Sequence, residues 1–176
     1  MIVVPRSPLP TTAAVRAAMR GNKSAHTRPE TRTRKLLYHL GYRYRVHAKN
    51  LPGKPDICFP ARRKVIFVHG CFWHQHSSPR CPLKAKPQSN LAYWSSKLDR
   101  NRQRDSAQRR ALRRQEWAVL VVWECETRDA RRLAPRLKRF LGPPGLAGGE
   151  KGLWASSRAN AQLPQGGWQG LKLSTN

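Results

Sequence analysis

The chain has 176 residues, 35 of them Lys or Arg and only nine Asp or Glu, which gives a formal net charge of +26. One domain with short extensions is expected at this length, and no apolar run approaches the ~20 residues of a membrane span. Such a charge favours a nucleic-acid partner, although a coding bias toward Arg would also raise the Arg count.

The domain limits follow from composition. Residues 1–18 have no clear period and are predicted to form a flexible arm, and 19–141 form the folded domain. Residues 142–176 are rich in Gly, Pro, Gln and Ser and are predicted to be a disordered tail. No secretory signal is recognisable, so we expect a cytoplasmic protein in a reducing compartment, where four cysteines favour a metal over disulfides.

The first element is predicted to be a helix. Thr27 is a suitable N-cap, Pro29 suits the first turn, and Glu30 completes a capping box. Three leucines at positions 36, 37 and 40 give this helix an apolar stripe, and Gly41 ends it.

The later elements alternate strands and helices. Strands are predicted at 42–47, 56–59, 65–68 and 117–125, and helices at about 90–115 and 128–140. The last strand is apolar on both faces and is predicted to be central, whereas Pro135 should kink or break the last helix. The pattern predicts an α/β fold with a small mixed β-sheet flanked by helices.

Residues 65–81 contain three histidines, two cysteines and a Phe-Trp pair directly after an apolar strand. Cys71, His76 and Cys81 are spaced C-x4-H-x4-C, and with Cys125 they would make a tetrahedral structural zinc site. His74 could replace His76, and Cys58 could replace one of the cysteines. The alternative is a set of unrelated buried thiols.

Asp56 is the carboxylate predicted to lie in a strand beside this histidine-rich stretch. A hard cation such as Mg²⁺ needs oxygen ligands, so a metal-dependent phosphodiesterase would use Asp56 as its anchor. The alternative is an Asp that caps the turn after Pro55. His69 and His74 remain available to accept a proton from water.

Phe72, Trp73 and Trp94 are predicted to lie where the chain is exposed. Aromatic rings on a basic protein can stack on bases or wedge between base pairs. Core packing is the alternative for the same three rings.

Four motifs together resemble the very-short-patch repair endonucleases, bacterial enzymes that nick DNA at T:G mismatches left when 5-methylcytosine deaminates. The motifs are L-P-G-K-P-D-I at 51–57, V-I-F-V-H-G-C-F-W-H at 65–74, Y-W at 93–94 and V-L-V-V-W-E-C at 119–125. The resemblance covers about residues 19–141 and implies a zinc-bearing, restriction-endonuclease-like relative of the PD-(D/E)xK nucleases.

The resemblance also implies roles in Mg²⁺-dependent hydrolysis. Asp56 would bind Mg²⁺ together with the backbone carbonyl of Val68, which stands where the best-known member has a threonine. His69 would be an active-site histidine and His74 the general base. Glu30 matches a glutamate near the active site, so a catalytic role competes with its capping role.

The remaining implied roles concern zinc and DNA. The implied zinc ligands are Cys71, His76, Cys81 and Cys125. The residues implied to contact DNA are Met19 and Arg20 in the N-terminal arm and the intercalating Phe72, Trp73 and Trp94. Zinc would fix the loop that carries the general base and the intercalating Phe72 and Trp73, and it would take no part in the chemistry.

The expected partner is double-stranded DNA with a T:G mismatch, nicked on the 5′ side of the T. Mismatch-repair proteins and a cytosine-5 DNA methyltransferase are further expected partners of a nucleoid-associated monomer. A non-catalytic mismatch-binding protein and a related nuclease of changed specificity are the alternatives.

Overall fold

A computed structural model describes residues 25–85 and 87–145. Its elements are α1 (Arg28–His39), β1 (Arg45–Val46), β2 (Ile57–Phe59), β3 (Lys64–His69), α2 (Leu91–Arg114), β4 (Ala118–Trp123) and α3 (Ala130–Leu141). Short 3₁₀ turns at Pro60–Arg62 and Glu126–Arg128 precede β3 and α3. No helix in these two ranges is long and apolar enough to span a membrane.

The four strands form one mixed sheet in the order β1-β2-β3-β4. The β1-β2 and β2-β3 pairs are antiparallel, and β3 and β4 are parallel over six residue pairs from Lys64–Ala118 to His69–Trp123. The ends of β3 and β4 therefore meet the beginning of β2 at one edge of the sheet. The predicted α/β fold with a small mixed sheet and flanking helices is confirmed in these respects.

Two apolar cores cover the two faces of the sheet. The core on the α1 and α3 side is built from Leu37, Tyr42, Ile57, Phe59, Ile66, Val122, Leu133, Leu137 and Leu141. The core on the α2 side is built from Leu51, Cys58, Val65, Phe67 and Leu112. Alternate residues of β3 enter opposite cores, because successive side chains of a strand point to opposite faces.

The predicted central position of the last strand is wrong. Among the described residues β4 pairs only with β3 and lies at the end of the sheet. Its apolar residues are explained by helices on both faces, since Val122 enters one core while Val119 and Val121 pack against the other. A strand that is apolar on both faces is therefore covered by helices on both faces, and such a strand can still lie at the edge of the sheet.

The predicted strand at 42–47 is shorter in the structure. The Tyr42 N–H donates to the carbonyl of Leu37, and the Tyr44 hydroxyl donates to the carbonyl of Arg34. These bonds hold the chain against α1 after the turn at Gly41, whose φ is +84°. Only Arg45–Val46 is then left to pair with β2.

The predicted break at Pro135 is also wrong, because α3 is continuous through it. Pro135 lies on the exposed side of the helix, where the carbonyl left without a partner can bond to water. Leu133, Leu137 and Leu141 are buried on the other side and hold the helix to the sheet. The helix begins at Ala130, two residues later than predicted, with Asp129 as its N-cap.

The first helix follows its prediction. The Glu30 N–H donates to the Thr27 hydroxyl oxygen, and the Thr27 hydroxyl donates to Glu30 Oε1 at 2.9 Å. Thr27 is thus confirmed as the N-cap, whereas the Glu30 carboxylate accepts from the Thr27 hydroxyl and the His26 N–H instead of the Thr27 N–H that a full capping box uses. The predicted arm and most of the predicted tail lie outside the described residues.

Candidate active site and metal centre

A cleft of about 1540 Å³ opens at the edge of the sheet where β3 and β4 end. Its wall includes five residues that the sequence predicts as site residues: Glu30, Asp56, Val68, His69 and His74. The sequence separates these residues by up to 44 positions, and the sheet brings them together. Met19 and Arg20 lie outside the described residues.

Asp56 lies just before β2, opposite the end of β3. Its Oδ2 accepts a hydrogen bond of 2.7 Å from the Val68 N–H, so the carboxylate is anchored on the strand whose carbonyl is predicted to help bind Mg²⁺. Burial raises the pKa of Asp56 to about 6, against the lowering effect of the Val68 hydrogen bond. A nearby cation would reverse this effect of burial, because it stabilises the charged carboxylate.

His69 and His74 stack in the same cleft, with ring centroids 3.9 Å apart and planes inclined by 12°. Burial lowers the pKa of His69 to about 3, and the charge of a protonated His74 acts in the same direction. His69 is therefore neutral at physiological pH.

Asp105 of α2 completes this group and was missed by the sequence analysis. Its Oδ2 lies 2.5 Å from His74 Nδ1. Burial would raise the pKa of Asp105, but the hydrogen bond to His74 and the charge of His74 outweigh it and hold the pKa below its usual value. The ionised carboxylate can only accept, so Nδ1 carries the hydrogen and Nε2 is left with a lone pair.

A signal for Asp105 existed in the sequence. It lies seven residues after Leu98 and seven before Leu112, and all three are buried on one side of α2. A carboxylate in register with buried leucines on an otherwise Arg-rich helix is a candidate for a site. The high density of Arg between 100 and 114 concealed it.

The four predicted zinc ligands lie together in the loop after β3 and at the end of β4. The donor atoms of Cys71, His76, Cys81 and Cys125 all lie within 4.8 Å of one another. His76 Nδ1 is 3.8 Å from Cys71 Sγ and 3.5 Å from Cys125 Sγ. All four cysteines of the chain are free, and Cys58 lies in the core of β2, outside this cluster.

The donor set fits a zinc ion. Three thiols and one imidazole within this span suit tetrahedral coordination, and the Cys125 N–H points at Cys71 Sγ over 3.4 Å. The His76 ring stacks on Trp123 at 4.3 Å, which leaves Nδ1 directed at the sulfurs. His74, the alternative ligand, is occupied by Asp105.

The three predicted wedge residues form one aromatic cluster beside the cleft. Phe72 contacts Trp73 and Trp94 edge-on, with ring centroids 5.0 and 5.4 Å away. The Lys97 ammonium lies within 5.5 Å of the ring centroids of both tryptophans. All three rings are half-buried, and Trp73 also lines the cleft.

Comparison with known proteins identifies the family. The family model described as DNA mismatch endonuclease Vsr matches residues 10–80. The type II nicking enzyme V.XorIIP of Xanthomonas oryzae pv. oryzae is 49% identical over 73% of this chain and 92% of its own length. The DNA mismatch endonuclease Vsr of Escherichia coli is 38% identical over 65% of this chain and 72% of its own.

The chain belongs to the Vsr family of DNA mismatch endonucleases. It is a DNA endonuclease, and therefore a hydrolase. The resemblance drawn from its motifs is confirmed, and membership of a nuclease family suggests a divalent metal. The alternative of a non-catalytic mismatch-binding protein is set aside, because the relatives are named as nicking enzymes and endonucleases.

Proposed function

We propose that this Vsr endonuclease nicks double-stranded DNA on the 5′ side of the T in a T:G mismatch, by Mg²⁺-dependent hydrolysis of the phosphodiester bond. The observation that carries the proposal is the arrangement in one cleft of Asp56, the His69–His74 stack and Asp105, next to the aromatic cluster. Binding of mismatch-repair proteins and of a cytosine-5 DNA methyltransferase to this protein stays a prediction.

His74 is proposed as the general base. Asp105 holds the Nδ1–H form of the ring, so Nε2 can accept a proton from the attacking water, and the carboxylate stabilises the resulting positive charge. The neutral His69 stacked on it keeps the ring in place without adding a competing charge.

Asp56 and the Val68 carbonyl are proposed to hold the divalent ion on the scissile phosphate. The bound ion would supply electrostatic stabilisation of the charge that develops on the phosphate and on the leaving 3′-oxygen. Asp56 contributes a fixed carboxylate for this role, because the Val68 N–H hydrogen bond sets its orientation.

Phe72, Trp73 and Trp94 are proposed to insert beside the mismatch. Unstacking a base step costs a few kcal/mol, and the cost is lower at a T:G wobble than at a Watson–Crick pair. The aromatic cluster adjoins the loop that carries His74, so insertion and placement of the scissile phosphate are coupled. Zinc on Cys71, His76, Cys81 and Cys125 would cross-link this loop to the end of β4.

The test compares two labelled duplexes, one with a single T:G mismatch and one with T:A at the same place. We expect the wild type with Mg²⁺ to nick only the T strand of the mismatched duplex, and Asp56→Ala to nick neither. Equal nicking of both duplexes would show a nuclease of different specificity and would overturn the proposal. A nick that persists in Asp56→Ala would remove Asp56 from the metal site.

A further inference from the structure

His47 presents a buried ring nitrogen without a partner to the active-site cleft. Among the side chains that the structure describes, His47 Nε2 is the buried nitrogen or oxygen atom that lacks a hydrogen bond. The nearest carboxylate oxygen, Glu30 Oε2, is 4.0 Å away, which is too far for a hydrogen bond. A buried polar atom of this kind is costly unless a ligand satisfies it.

The backbone explains why His47 faces Asp56. The β1-β2 ladder pairs Arg45 with Cys58 and Val46 with Ile57, and the same register continued past β1 brings His47 opposite Asp56. The His47 N–H donates to the carbonyl of Asp56 at 3.3 Å, and His47 has a φ of +48°. The two side chains thus enter the cleft from neighbouring backbone positions.

Glu30 closes the group from α1. The donor atoms of Glu30, His47 and Asp56 all lie within 4.8 Å of one another. Glu30 as a residue is 4% exposed, and its carboxylate is fixed by hydrogen bonds of 2.9 Å from the His26 N–H and the Thr27 hydroxyl. Each of its oxygens keeps a further lone pair, so both remain able to bind a cation.

The His47 ring is also held from its other side. His26 contacts it edge-on, with centroids 4.9 Å apart and planes inclined by 72°. A guanidinium nitrogen of Arg34 lies 3.3 Å from His26 Nδ1 and places the His26 ring in turn. The 4.0 Å gap between His47 Nε2 and Glu30 Oε2 is about twice a typical metal–ligand bond of roughly 2.1 Å.

We infer that His47 is a direct metal ligand, and that Glu30, His47 and Asp56 form a site that prefers a divalent first-row transition ion to Mg²⁺. Mg²⁺ favours oxygen ligands only, whereas an imidazole nitrogen beside carboxylates suits ions such as Mn²⁺, Fe²⁺ or Co²⁺. The inference rests on the proposed function in that it shares Asp56 and the cleft, but it concerns the third ligand and the identity of the ion. It also gives Glu30 a role in addition to capping α1.

The test is direct binding of Mn²⁺ to full-length, zinc-loaded protein, followed by electron paramagnetic resonance. Pulsed measurements on bound Mn²⁺ detect an imidazole nitrogen that is coordinated to it. We expect this nitrogen coupling in the wild type and its loss in His47→Asn and His47→Gln. Asn tolerates the positive φ of this position, so the first variant keeps the backbone, and the second keeps the length of the side chain.

The affinities provide a second readout. We expect His47→Asn to weaken Mn²⁺ binding by roughly tenfold or more, which is the scale of losing a supporting group at a metal site, and to change Mg²⁺ binding by less than about threefold. The controls are His69→Gln and His74→Gln, which should both keep the nitrogen coupling.

The outcomes separate the inference from the proposed function. Mn²⁺ that binds without nitrogen coupling, or coupling that survives in both His47 variants, overturns the role of His47 while T:G nicking can still occur. Coupling that depends on His47 in a protein that does not nick T:G duplexes supports the metal site and overturns the proposed function.

Discussion

In the His74–Asp105 pair, one carboxylate determines which ring nitrogen of the predicted base carries the hydrogen. Asp105 is buried on α2, and its short contact with Nδ1 selects the tautomer whose Nε2 is free to accept a proton. His74 therefore depends on a residue 31 positions away for its chemistry. Asp105 lies outside the group formed by Glu30, His47 and Asp56, although its donor atom and those of His69 and His74 also lie within 4.8 Å of one another.

Asp105→Asn should lower the single-turnover nicking rate by roughly 10²–10⁴-fold, because the amide can donate to Nδ1 and favour the wrong tautomer. Binding to the mismatched duplex should change by less than about threefold. The rate is measured with saturating enzyme, beside Asp99→Asn on the exposed face of the same helix. A rate equal to that of this control would exclude Asp105 from the mechanism.

Asp56→Asn should stabilise the zinc-loaded protein at pH 8 without added Mg²⁺. The folded-state pKa of Asp56 is raised from 3.8 to about 6, so ionisation destabilises the fold as pH rises through this window. The stability that the protonated group contributes is complete below pH ~4 and is lost above pH ~6, a difference of up to roughly 3 kcal/mol. The amide oxygen can still accept from the Val68 N–H.

The measurement is the free energy of unfolding at pH 4 and at pH 8. We expect Asp56→Asn to match the wild type at pH 4, to exceed it at pH 8 and to be inactive. Asp99→Asn, which removes an equal charge from the surface, should show no such divergence. Equal stability of Asp56→Asn and wild type at both pH values would contradict the raised pKa.

The loop from Gly70 to Cys81 is the element on which the site depends. It follows β3 directly. Within the six positions 71–76 it carries two predicted zinc ligands, the two aromatic residues predicted to insert into DNA, and the predicted base, and Cys81 at its end is a third zinc ligand. Backbone bonds from the His74 N–H to the Gly70 carbonyl and from the His76 N–H to the Cys71 carbonyl fold it into consecutive turns. A loop of this kind has little apolar core of its own, so a metal cross-link would be what holds it in one conformation.

Cys125→Ser should remove zinc and abolish nicking, although Cys125 is not among the residues that line the cleft with Asp56 and His74. Structural zinc contributes on the order of 10 kcal/mol in small zinc-dependent domains, so loss of a ligand should also lower the melting temperature strongly. Zinc content, thermal unfolding and nicking are measured on the same preparation.

The matched control is Cys58→Ser. Cys58 is buried in β2 outside the cluster, so this variant should keep its zinc and lose only about 1–3 kcal/mol for a buried hydroxyl. If Cys125→Ser retained normal stability and activity, the structural role of zinc would be wrong.

At the scale of the whole molecule, the chain has a net charge of +26, and several cations of the described domain line its cleft. Arg28, Lys49, Lys54 and Arg104 all border the cleft. These side chains can approach the phosphates on either side of a nucleotide held at Asp56. Sequence-independent attraction would then be strongest where the chemistry takes place.

Lys49→Gln combined with Lys54→Gln should reduce the salt dependence of duplex binding. Each phosphate contact contributes about −0.9 to the slope of log K against log salt, so the slope should become less negative by up to about 2. The control is Arg131→Gln with Arg139→Gln, an equal charge change on α3 outside the cleft lining. Identical slopes for the two double variants would mean that the cleft is not the DNA-binding face.

The sequence by itself determined the family, the α/β class, the capped first helix and most of the candidate ligands. These properties are local: Thr27 and Glu30 of the helix cap lie within four residues, and the ligand-rich loop within seventeen. Motifs such as V-I-F-V-H-G-C-F-W-H are also long enough to specify a family without a structure. His47 had a local signal as well, since the hairpin 42–59 places it opposite Asp56.

Only the tertiary structure decided the long-range relations. The edge position of β4, the contact of Asp105 with His74 and the unpartnered nitrogen of His47 all depend on how separate elements pack. Apolar patterning records that a side chain is covered, but it does not record whether a strand or a helix covers it. The sequence likewise shows which residue types could bind a metal, but only the packing of the elements shows which of them lie in one site.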